Sequence, residues 1–457
     1  MIRSSVRRQV DFSLHLRRLS EGSTRAGITQ LDGRDVILVT SRPSSKRGAL
    51  TEADGERIAT AARLASEVEL PLVLILSTSG AEINDGVPAL HGWGLAARAL
   101  AQCSGRVPIL TGLIGPAVSG PTLLLGLSDY VVVTSDAFAY LSGPSMVQSF
   151  TGVSLSPSDL GGAHTLLSKS GVAYEEAEDP NDVLVRIAEL ISFLPSSTND
   201  LPPRANEWDD LYGDRTPFEE IIPDSPTASY DVRDIVHELV DFGEFVELRK
   251  LWAPQLVTGL ARIAGRTIGI VANQPMIMAG TLDIPAAQKG GRFVRFCDAF
   301  NIPVITLEDT PGFLPGKDVE WRGMIRHGAE LAFSYAACGV PRICVITRKA
   351  YGGAYIVMDS KGMGNDLTLA WPTAEIAVMG SQGAVQILHR RATPAEQLAK
   401  KAEYEEVYLT PWIAAERGFV DMVIEPKATR AVVARSLEMV LTKRERLRPA
   451  KHANSPL

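Results

Sequence analysis

Cysteine is scarce in this sequence, with four residues among 457. They are Cys103, Cys297, Cys338 and Cys344, and no two of them form the CxxC pair of a zinc ribbon. Their number and spacing also argue against a disulfide framework, which is typical of short secreted chains. We therefore predict free thiols in a reducing, cytoplasmic environment, and no metal site.

The motifs of several common enzyme sites are also missing. The sequence contains no GxxxxGK[ST], GxSxG or HExxH motif, which excludes a P-loop, a hydrolase nucleophile elbow and a zinc protease helix. It has no basic excess either, because 46 Lys and Arg residues oppose 53 Asp and Glu residues, for a net charge of −7. Without positive charge to neutralise phosphates, nucleic acid is not a predicted partner.

A membrane span is not predicted. Residues 107–128 carry no charge and are numerous enough to cross a bilayer, but Pro108, Pro116 and Pro121 interrupt them. Because prolines break helices, a buried strand, a tight loop and a buried helix fit this stretch better. Residues 1–12 are rich in Arg but have no apolar run, so we expect a short basic helix there and no secretory signal, with an organelle transit peptide as the alternative.

The chain contains a long internal repeat. Residues 33–43 read GRDVILVTSRP and residues 265–275 read GRTIGIVANQP, a spacing of 232. The same spacing relates Gly48 to Gly280, Leu50 to Leu282, Arg63 to Arg295, Pro71 to Pro303 and Gly80 to Gly312. Further along, the spacing grows to 233 and then 237. Apolar strands alternate with helix-like runs in both copies, so we predict a duplicated α/β fold with mostly parallel strands.

The repeat also sets the predicted domain boundaries. One α/β domain is predicted for residues 1–193 and a second for residues 230–457. Between them, residues 194–229 are rich in Pro, Asp and Ser. This composition is typical of a linker, which we expect to be ordered or semi-ordered.

The clearest candidate for chemistry is the segment KAYGGAYIVMDS, residues 349–360. It follows an apolar strand, and a strand that runs through Gly-Gly-Ala into a helix leaves backbone N–H groups without intrahelical partners at the helix start. These donors, with the helix dipole, can hold an oxyanion or enolate without a side-chain acid. The alternative is that small residues are needed here for tight packing of the helix on the sheet.

The first copy has AVSGPTLLLG, residues 117–126, at the equivalent place. Ser119 and Gly120 retain backbone N–H groups there, but Pro121 has none. The counterpart of the Ala354 N–H is therefore missing, and a first-half hole is either shifted by one residue or weakened. A purely structural loop is the alternative.

Asp309 is a second candidate for chemistry, since it follows an apolar strand in the segment LEDTPGFLPG. A carboxylate at the end of a strand could be catalytic. We favour the other interpretation, a role in a turn or at a helix cap, because Asp is common at both places.

Longer stretches resemble one protein family. They are NQPMIMAGTLDI (273–284), FCDAFNIPVITLEDTPGFLPG (296–316), IRHGAELAFSYA (325–336), VPRICVITRKAYGGAYIVMDS (340–360), AWPTAEIAVMGSQGAV (370–385) and PWIAAERGFVDMVI (411–424). On these motifs the sequence resembles the carboxyltransferase (β) subunit of biotin-dependent acyl-CoA carboxylases, of the propionyl-CoA and acetyl-CoA carboxylase type. The second half resembles the family nearly throughout and the first half more loosely. The resemblance implies an α/β fold of tandem duplicated crotonase-like (ClpP/crotonase) domains.

The resemblance also implies cofactors and partners. Carboxybiotin on a biotinylated carboxylase or carrier subunit is the implied carboxyl donor, and a coenzyme A thioester is the implied acceptor. The first domain binds acyl-CoA and the second binds carboxybiotin. The implied assembly is a homo-hexamer or a hetero-oligomer with a related β subunit.

Two backbone oxyanion holes follow from the resemblance. The hole on the biotin side maps onto Gly353 and Ala354, and the hole on the thioester side maps onto Ser119 and Gly120. In the implied reaction, the biotin-side hole holds the ureido oxygen charge as carbon dioxide leaves carboxybiotin. The biotin nitrogen then removes the α-proton of the acyl thioester. The thioester-side hole holds the enolate, which attacks the carbon dioxide, so no enzymic base is needed.

Residues beside the biotin-side hole take implied roles from the same family. Tyr351, Gly352 and Tyr355 are expected to contact carboxybiotin. Ile356 lies where family members vary between apolar and acidic residues near the acyl pocket. An apolar residue there is compatible with short acyl chains such as propionyl or acetyl.

Departures from the family pattern leave other functions open. Residues 77–82 read STSGAE where the family has Asp-x-x-Gly-Ala-Arg, and Ser119-Gly120-Pro121 stands where it has Gly-Gly. One alternative keeps carboxybiotin but uses a carrier-protein thioester or an unusual acyl-CoA as acceptor. Another is a decarboxylase of the sodium-pump type, which runs the same chemistry in reverse. A third is a structural β-like subunit within a hetero-oligomer.

Overall fold

A computed structural model describes residues 22–211, 217–223, 225, 228–443 and 454. The basic helix predicted near the N-terminus lies outside these residues, as does part of the predicted 194–229 linker. The chain forms two compact units. The first comprises residues up to Pro203 with Arg249–Trp252, and the second comprises Arg204–Leu248 with the residues from Ala253 onward.

The first unit is built on a sheet of seven strands in which only the first pair is antiparallel. Its spatial order is β1-β2-β3-β4-β5-β7, and β6 pairs with the end of β4. The strands are β1 (Thr24–Leu31), β2 (Arg34–Ser41), β3 (Leu72–Thr78), β4 (Ile109–Val118), β5 (Tyr130–Thr134), β6 (Phe138–Tyr140) and β7 (Glu175–Ala177).

The helices of the first unit connect these parallel strands. They are α1 (Glu52–Val68), α2 (Val87–Cys103), α3 (Leu123–Gly126), α4 (Pro144–Thr151), α5 (Pro157–Gly161), α6 (Ala163–Ser168) and α7 (Pro180–Ile191). A capping box of Thr51 and Asp54 begins α1. α1 packs closely on α2 because a Cβ at Gly55 would lie 2.0 Å from the carbonyl carbon of Gly92.

The second unit has an eight-stranded sheet of the same kind. Its order is β15-β13-β12-β11-β10-β9-β8, with β14 paired to the end of β12, and only the pairs β8–β9 and β9–β10 are antiparallel. The strands are β8 (Phe245–Leu248), β9 (Leu256–Ile263), β10 (Arg266–Asn273), β11 (Val304–Thr310), β12 (Arg342–Tyr351), β13 (Leu367–Ala370), β14 (Glu375–Ala377) and β15 (Met422–Val423).

Helices cover both faces of this second sheet. They are α8 (Pro217–Ile221), α9 (Val232–Leu239), α10 (Ile284–Ala299), α11 (Lys317–Trp321), α12 (Met324–Ala336), α13 (Gly352–Val357), α14 (Ser381–Leu388), α15 (Pro394–Tyr408), α16 (Pro411–Glu416) and α17 (Thr429–Val440). One core joins alternate residues of β11 and β12 to α9 and α17, and it includes Ile235, Leu307, Val345 and Leu437. A smaller cluster around Cys344 and Ile346 lies on the opposite face of β12.

The two units repeat one order of elements at the spacing that the sequence shows. β1, β2 and β3 lie 232 residues before β9, β10 and β11, while β4 lies 233 before β12 and β6 lies 237 before β14. A glycine with positive φ closes the equivalent hairpin in each unit, Gly33 at 76° and Gly265 at 72°. The predicted duplicated α/β architecture is confirmed.

The uncharged stretch 107–128 forms β4, a 3₁₀ turn at Gly120–Thr122 and α3, in agreement with the predicted strand, loop and helix. Among the described residues, no helix combines the length and the apolar character needed to cross a membrane. All four cysteines are buried as free thiols.

Candidate active site

The segment 349–360 forms the junction between β12 and α13. Gly352 begins the helix with a φ of +60°, and a Cβ there would lie 3.1 Å from the carbonyl oxygen of Val378, so glycine is favoured at this position. Gly353 is exposed and Ala354 is buried. Both lie in the first helical turn, where an N–H group has no acceptor within the helix. Tight packing thus accounts for Gly352, while the next two residues form a possible anion hole.

Three side chains surround this junction. The hydroxyl of Tyr351 donates to the carboxylate of Glu375, and burial, followed by that hydrogen bond, raises the pKa of Tyr351. Burial also raises the pKa of Tyr355, so both phenols are neutral at physiological pH. The side chain of Ile356 is 43% exposed, so it can contact a ligand at the junction.

A bulge in β12 lies immediately before the junction. In the parallel pairing of β11 with β12, Glu308 faces Ile346 and Thr310 faces Ala350. One residue of β11, Asp309, therefore spans three residues of β12, at positions 347–349. Bulges re-aim the chain that follows them, and here that chain leads directly into the Gly-Gly-Ala turn.

Asp309 is buried beneath this bulge, with 2% of its surface exposed. Its Oδ2 accepts a hydrogen bond from Nε of Arg348 at 3.0 Å, and its Oδ1 accepts the N–H of Lys349 at 3.1 Å. Burial raises the pKa of Asp309, and the adjoining guanidinium opposes that rise. Asp309 lies within β11 and caps no described helix, so the interpretation as a turn or cap residue is wrong.

The equivalent loop of the first unit begins with the same positive φ but continues as a 3₁₀ turn and offers different donors. Ser119 has a φ of 64°, like Gly352 at 60°, and this match places Pro121 opposite Ala354. The N–H of Ser119 donates to the carbonyl oxygen of Tyr140 at 3.1 Å. Gly120 follows at the start of the 3₁₀ turn, and the buried Pro121 has no N–H to offer.

Gly120 is constrained by its surroundings. A Cβ at this position would lie 2.9 Å from the ring of Trp93, so no larger residue fits without moving the indole. Within the described part of the chain, the predicted residues thus form two groups: Ser119 with Gly120, and residues 351–356. Over the same residues, no group of three or more His, Cys, Asp or Glu side chains could hold a metal ion.

The sequence analysis missed a buried carboxyl group beside the second junction. Glu308 is 0% exposed, and its Oε1 has no hydrogen-bond partner. The thiol of Cys344 lies 3.8 Å from Oε2. Burial holds the pKa of Glu308 well above its usual range, which favours the neutral form of the group. The signal in the sequence is the repeat, which places the apolar Leu76 at the equivalent position.

Comparison with known proteins supplies the family. The profile of the carboxyl transferase domain matches residues 7–455. The chain belongs to the carboxyl transferase family. It is 44% identical to the propionyl-CoA carboxylase beta chain of Saccharopolyspora erythraea over 469 residues, which cover 98% of this chain and 86% of the relative.

Two further relatives of this carboxyltransferase differ in their named reactions. The methylmalonyl-CoA decarboxylase subunit alpha of Veillonella parvula is 41% identical, over 98% of this chain and 88% of the relative. A crystal structure of transcarboxylase 12S, described as a hexamer with methylmalonyl-coenzyme A and methylmalonic acid bound, superimposes with a TM-score of 0.94 at 37% identity. That match covers 95% of this chain and 85% of the other.

These similarities confirm three predictions. The fold is the duplicated crotonase-like α/β fold. The resemblance to the β subunits of acyl-CoA carboxylases is confirmed by the family and by the propionyl-CoA carboxylase relative. The chain is therefore an enzyme, a carboxyltransferase of the acyl-CoA carboxylase type.

Proposed function

We propose that this carboxyltransferase moves a carboxyl group from carboxybiotin, carried on a partner protein, to the α-carbon of a short acyl-CoA such as propionyl-CoA or acetyl-CoA. The observation that carries the proposal is the turn from β12 into α13, which places the N–H groups of Gly353 and Ala354 at the start of a helix. This turn occurs in a chain 44% identical to a propionyl-CoA carboxylase beta chain.

The second half is proposed as the carboxybiotin side, with domain limits 230–457. The N–H groups of Gly353 and Ala354 hold the negative charge that develops on the ureido oxygen, because preorganised donors stabilise such a charge most where water is excluded. Tyr351, Gly352 and Tyr355 line the same turn and contact the biotin ring system. The fit is supported by the exposed position of Gly353, which gives a ligand direct access to the backbone.

The first half is proposed as the acyl-CoA side, with domain limits 1–193, and residues 194–229 link the two. Ser119 and Gly120 form the hole for the thioester oxygen, which carries the charge of the enolate. Because the N–H of Ser119 already donates a hydrogen bond to the carbonyl oxygen of Tyr140, Gly120 is the principal donor of this hole. Ile356 borders the acyl chain and favours short, apolar groups.

Three of the described side chains at the second turn are not available as a general base. Tyr351 and Tyr355 are held neutral by raised pKa values, and the carboxylate of Asp309 already accepts hydrogen bonds from Arg348 and Lys349 on the neighbouring strand. Carboxybiotin, when bound, supplies both the carboxyl group and the nitrogen that takes the α-proton. The protein's part is to orient the two substrates, to exclude water and to hold the two oxygen charges.

The proposed partner is a biotinylated carboxylase or carrier subunit, and the proposed assembly is a hexamer, either of this chain alone or with a related β subunit. The hexamer described for transcarboxylase 12S supports this assembly, since it aligns over 95% of this chain. A relative from Mycobacterium leprae that is named a biotin-dependent acetyl-/propionyl-coenzyme A carboxylase beta5 subunit supports the biotin donor.

The proposal is tested with free carboxybiotin, prepared with a labelled carboxyl group, and a panel of acyl-CoA esters. We expect acid-stable label on propionyl-CoA or acetyl-CoA, and none when the protein is heat-denatured. Label on no CoA ester, from protein shown to be folded and hexameric, would contradict the proposed acceptor. Carboxybiotin that stays intact under the same conditions would contradict the proposed donor.

A further inference from the structure

Each unit has a bulge just before its candidate loop. In the first unit, Leu76 faces Leu113 and Thr78 faces Ala117, so Ser77 spans residues 114–116 of β4. In the second unit, Asp309 spans residues 347–349 of β12 in the same way. From the last residue of the bulge onward, both strands pair with a short neighbour, β6 or β14, for three residues before the loop begins. Each bulge therefore sets the direction in which its strand enters the candidate loop.

The second unit holds its bulge with a carboxylate. Asp309 accepts from the side chain of Arg348 and from the backbone N–H of Lys349, two adjacent residues of the bulge. Arg348 is fixed at its other end, because Nη1 donates to the carbonyl oxygen of Ala228 at 2.7 Å. Asp309 is fixed in turn, because its N–H donates to Oδ1 of Asn273 at 3.2 Å. The bulge is thereby tied to two elements outside β12.

The first unit holds the same bulge without any charge. Pro116 occupies the position of Lys349 and has no N–H, so no acceptor is needed there. Gly115 occupies the position of Arg348, and a Cβ at Gly115 would lie 2.7 Å from the hydroxyl oxygen of Ser77. Ser77 itself occupies the position of Asp309. The carboxylate of the second unit is thus not a requirement of the fold.

We propose that Asp309, acting with Arg348, is a positioning residue for the N–H groups of Gly353 and Ala354. The inference rests on the proposed role of that turn as the biotin-side hole. Only residues 350–352 separate the anchored N–H of Lys349 from Gly353, and two of these are held in the pairing with β14. A shift of the anchor is therefore passed on to the hole, and a displacement of about 1 Å in such a site lowers rates by up to about 10²-fold.

A purely structural role for the pair is the competing explanation, and the chain offers a matched control for it. Asp241 is buried in the same unit, with 4% exposed. It accepts the backbone N–H groups of Ala264 and Gly265 at 3.1 and 2.7 Å, and it pairs with Arg430. It holds the hairpin between β9 and β10, and the partners just named all lie outside the loop that begins α13. Both carboxylates support stability, but only Asp309 is expected to affect the rate.

The first experiment compares Asp309→Ala, Asp309→Asn and Asp241→Ala in transfer from free carboxybiotin to propionyl-CoA. Asp309→Ala is expected to lower kcat by about 10- to 100-fold without changing KM for the acyl-CoA, which is proposed to bind the first unit. Asp309→Asn retains an oxygen acceptor and is expected to recover most of the lost rate. Asp241→Ala is expected to keep the wild-type kcat in its folded fraction. A wild-type kcat for Asp309→Ala, or equal losses in both alanine variants, would overturn the proposal.

A second variant protects the test against loss of folding. Asp309→Ser/Arg348→Gly/Lys349→Pro copies residues 77, 115 and 116 of the first unit and removes both buried charges together. It is expected to fold and to have a higher kcat than Asp309→Ala, since the bulge is then held by the uncharged Ser, Gly and Pro arrangement of the first unit. If the triple variant folds but is no more active than Asp309→Ala, the positioning role is wrong.

A structural measurement separates this inference from the proposed function. In a crystal structure of Asp309→Ala, the amide nitrogens of Gly353 and Ala354 are expected to move by about 0.5 Å or more. Unmoved amides overturn the inference whatever the activity. If the wild-type protein itself transfers no carboxyl group, the proposed function fails, while the displacement of the amides still decides whether Asp309 positions them.

Discussion

The two halves of the chain share one backbone plan but differ in what they bury between sheet and helices. At four equivalent positions the second half buries a charged residue and the first half has none. Glu308, Asp309, Arg342 and Arg348 stand where the first half has Leu76, Ser77, Ile109 and Gly115. The crotonase-like fold therefore does not depend on these charges. The charges are specific to the second half, and the role of each can be tested by replacing it with an uncharged residue, as in the first half.

The largest effect is expected at Arg342, which is fully buried and paired with Asp359. Its Nη2 also donates to the carbonyl oxygens of Met363 and Gly364 at 3.1 and 2.7 Å. Arg342→Met leaves Asp359 buried without its partner, so the free energy of unfolding is expected to fall by about 3–5 kcal/mol. Denaturant unfolding measures this change.

The double variant Arg342→Met/Asp359→Gly is the control for the Arg342 experiment. It removes both charges, and glycine suits the φ of 66° at position 359. We expect it to recover most of the lost stability. A double variant no more stable than the single one would show that the pair matters by more than mutual neutralisation.

The next effect concerns the turn itself. Ala354→Pro removes one proposed donor, and a loss of about 10²- to 10³-fold in the rate of carboxyl transfer is expected, as for other single-donor deletions. Proline is expected to be tolerated here, since Pro121 stands at the equivalent position of the first half. Ala354→Gly keeps the N–H and is expected to retain most activity. A folded Ala354→Pro protein with near-normal transfer would refute the assignment of this hole.

A smaller effect, of opposite sign, is expected at Glu308. Glu308→Leu copies Leu76 and removes an oxygen without a partner, so the variant is expected to be more stable than wild type by about 1–3 kcal/mol near pH 8. Burial raises the pKa of Glu308 in the folded state, so the unfolded chain loses this proton at lower pH than the folded one. Wild-type stability therefore falls as pH rises above the unfolded pKa, which is about 4.3.

The pH dependence is the sharper test of Glu308. The advantage of Glu308→Leu is expected to be largest at neutral and alkaline pH and to shrink below pH of about 4. Denaturation curves across this range, with Glu308→Gln as a neutral isosteric control, measure it. A gain that does not change with pH would contradict a neutral Glu308 in the folded protein.

The smallest effect is expected at Ile356, whose side chain is 43% exposed and contributes little to stability. Ile356→Asp places a charge at the proposed acyl pocket. The ratio of kcat/KM for propionyl-CoA over acetyl-CoA is expected to fall by about tenfold, the scale of one methylene contact. Ile356→Val serves as the control. An unchanged ratio in Ile356→Asp would place the acyl chain elsewhere.

The backbone plan could be predicted from the sequence because its signals are local. The Gly-Arg turns, the apolar strands and the Gly-Gly-Ala segment each occupy consecutive residues, and their spacing of 232 and 233 recurs in the elements. The surroundings of the site could not be predicted in the same way. Arg348 lies 39 residues beyond Asp309, and only the shifted register of one bulge brings the two together.

Asp309 itself shows why the local signal fails. Followed by Thr-Pro-Gly, it has the sequence context of a turn, yet β11 continues through it to Thr310. Its carboxylate accepts the N–H of Lys349, at the point where the register between β11 and β12 shifts. A comparison of the two halves could have revealed this, since Pro116 removes an N–H where Lys349 keeps one.

The burial of all four cysteines makes the protein a favourable background for site-specific labelling. Burial raises the pKa of Cys297 and Cys344 well above the usual range and that of Cys338 to about 12, so these thiols stay protonated and react slowly with maleimides. A cysteine introduced at a half-exposed position such as Ile356 would then be the preferred target in the folded protein. A fluorophore attached there could report the arrival of a biotinylated carrier in real time, with every native cysteine left in place.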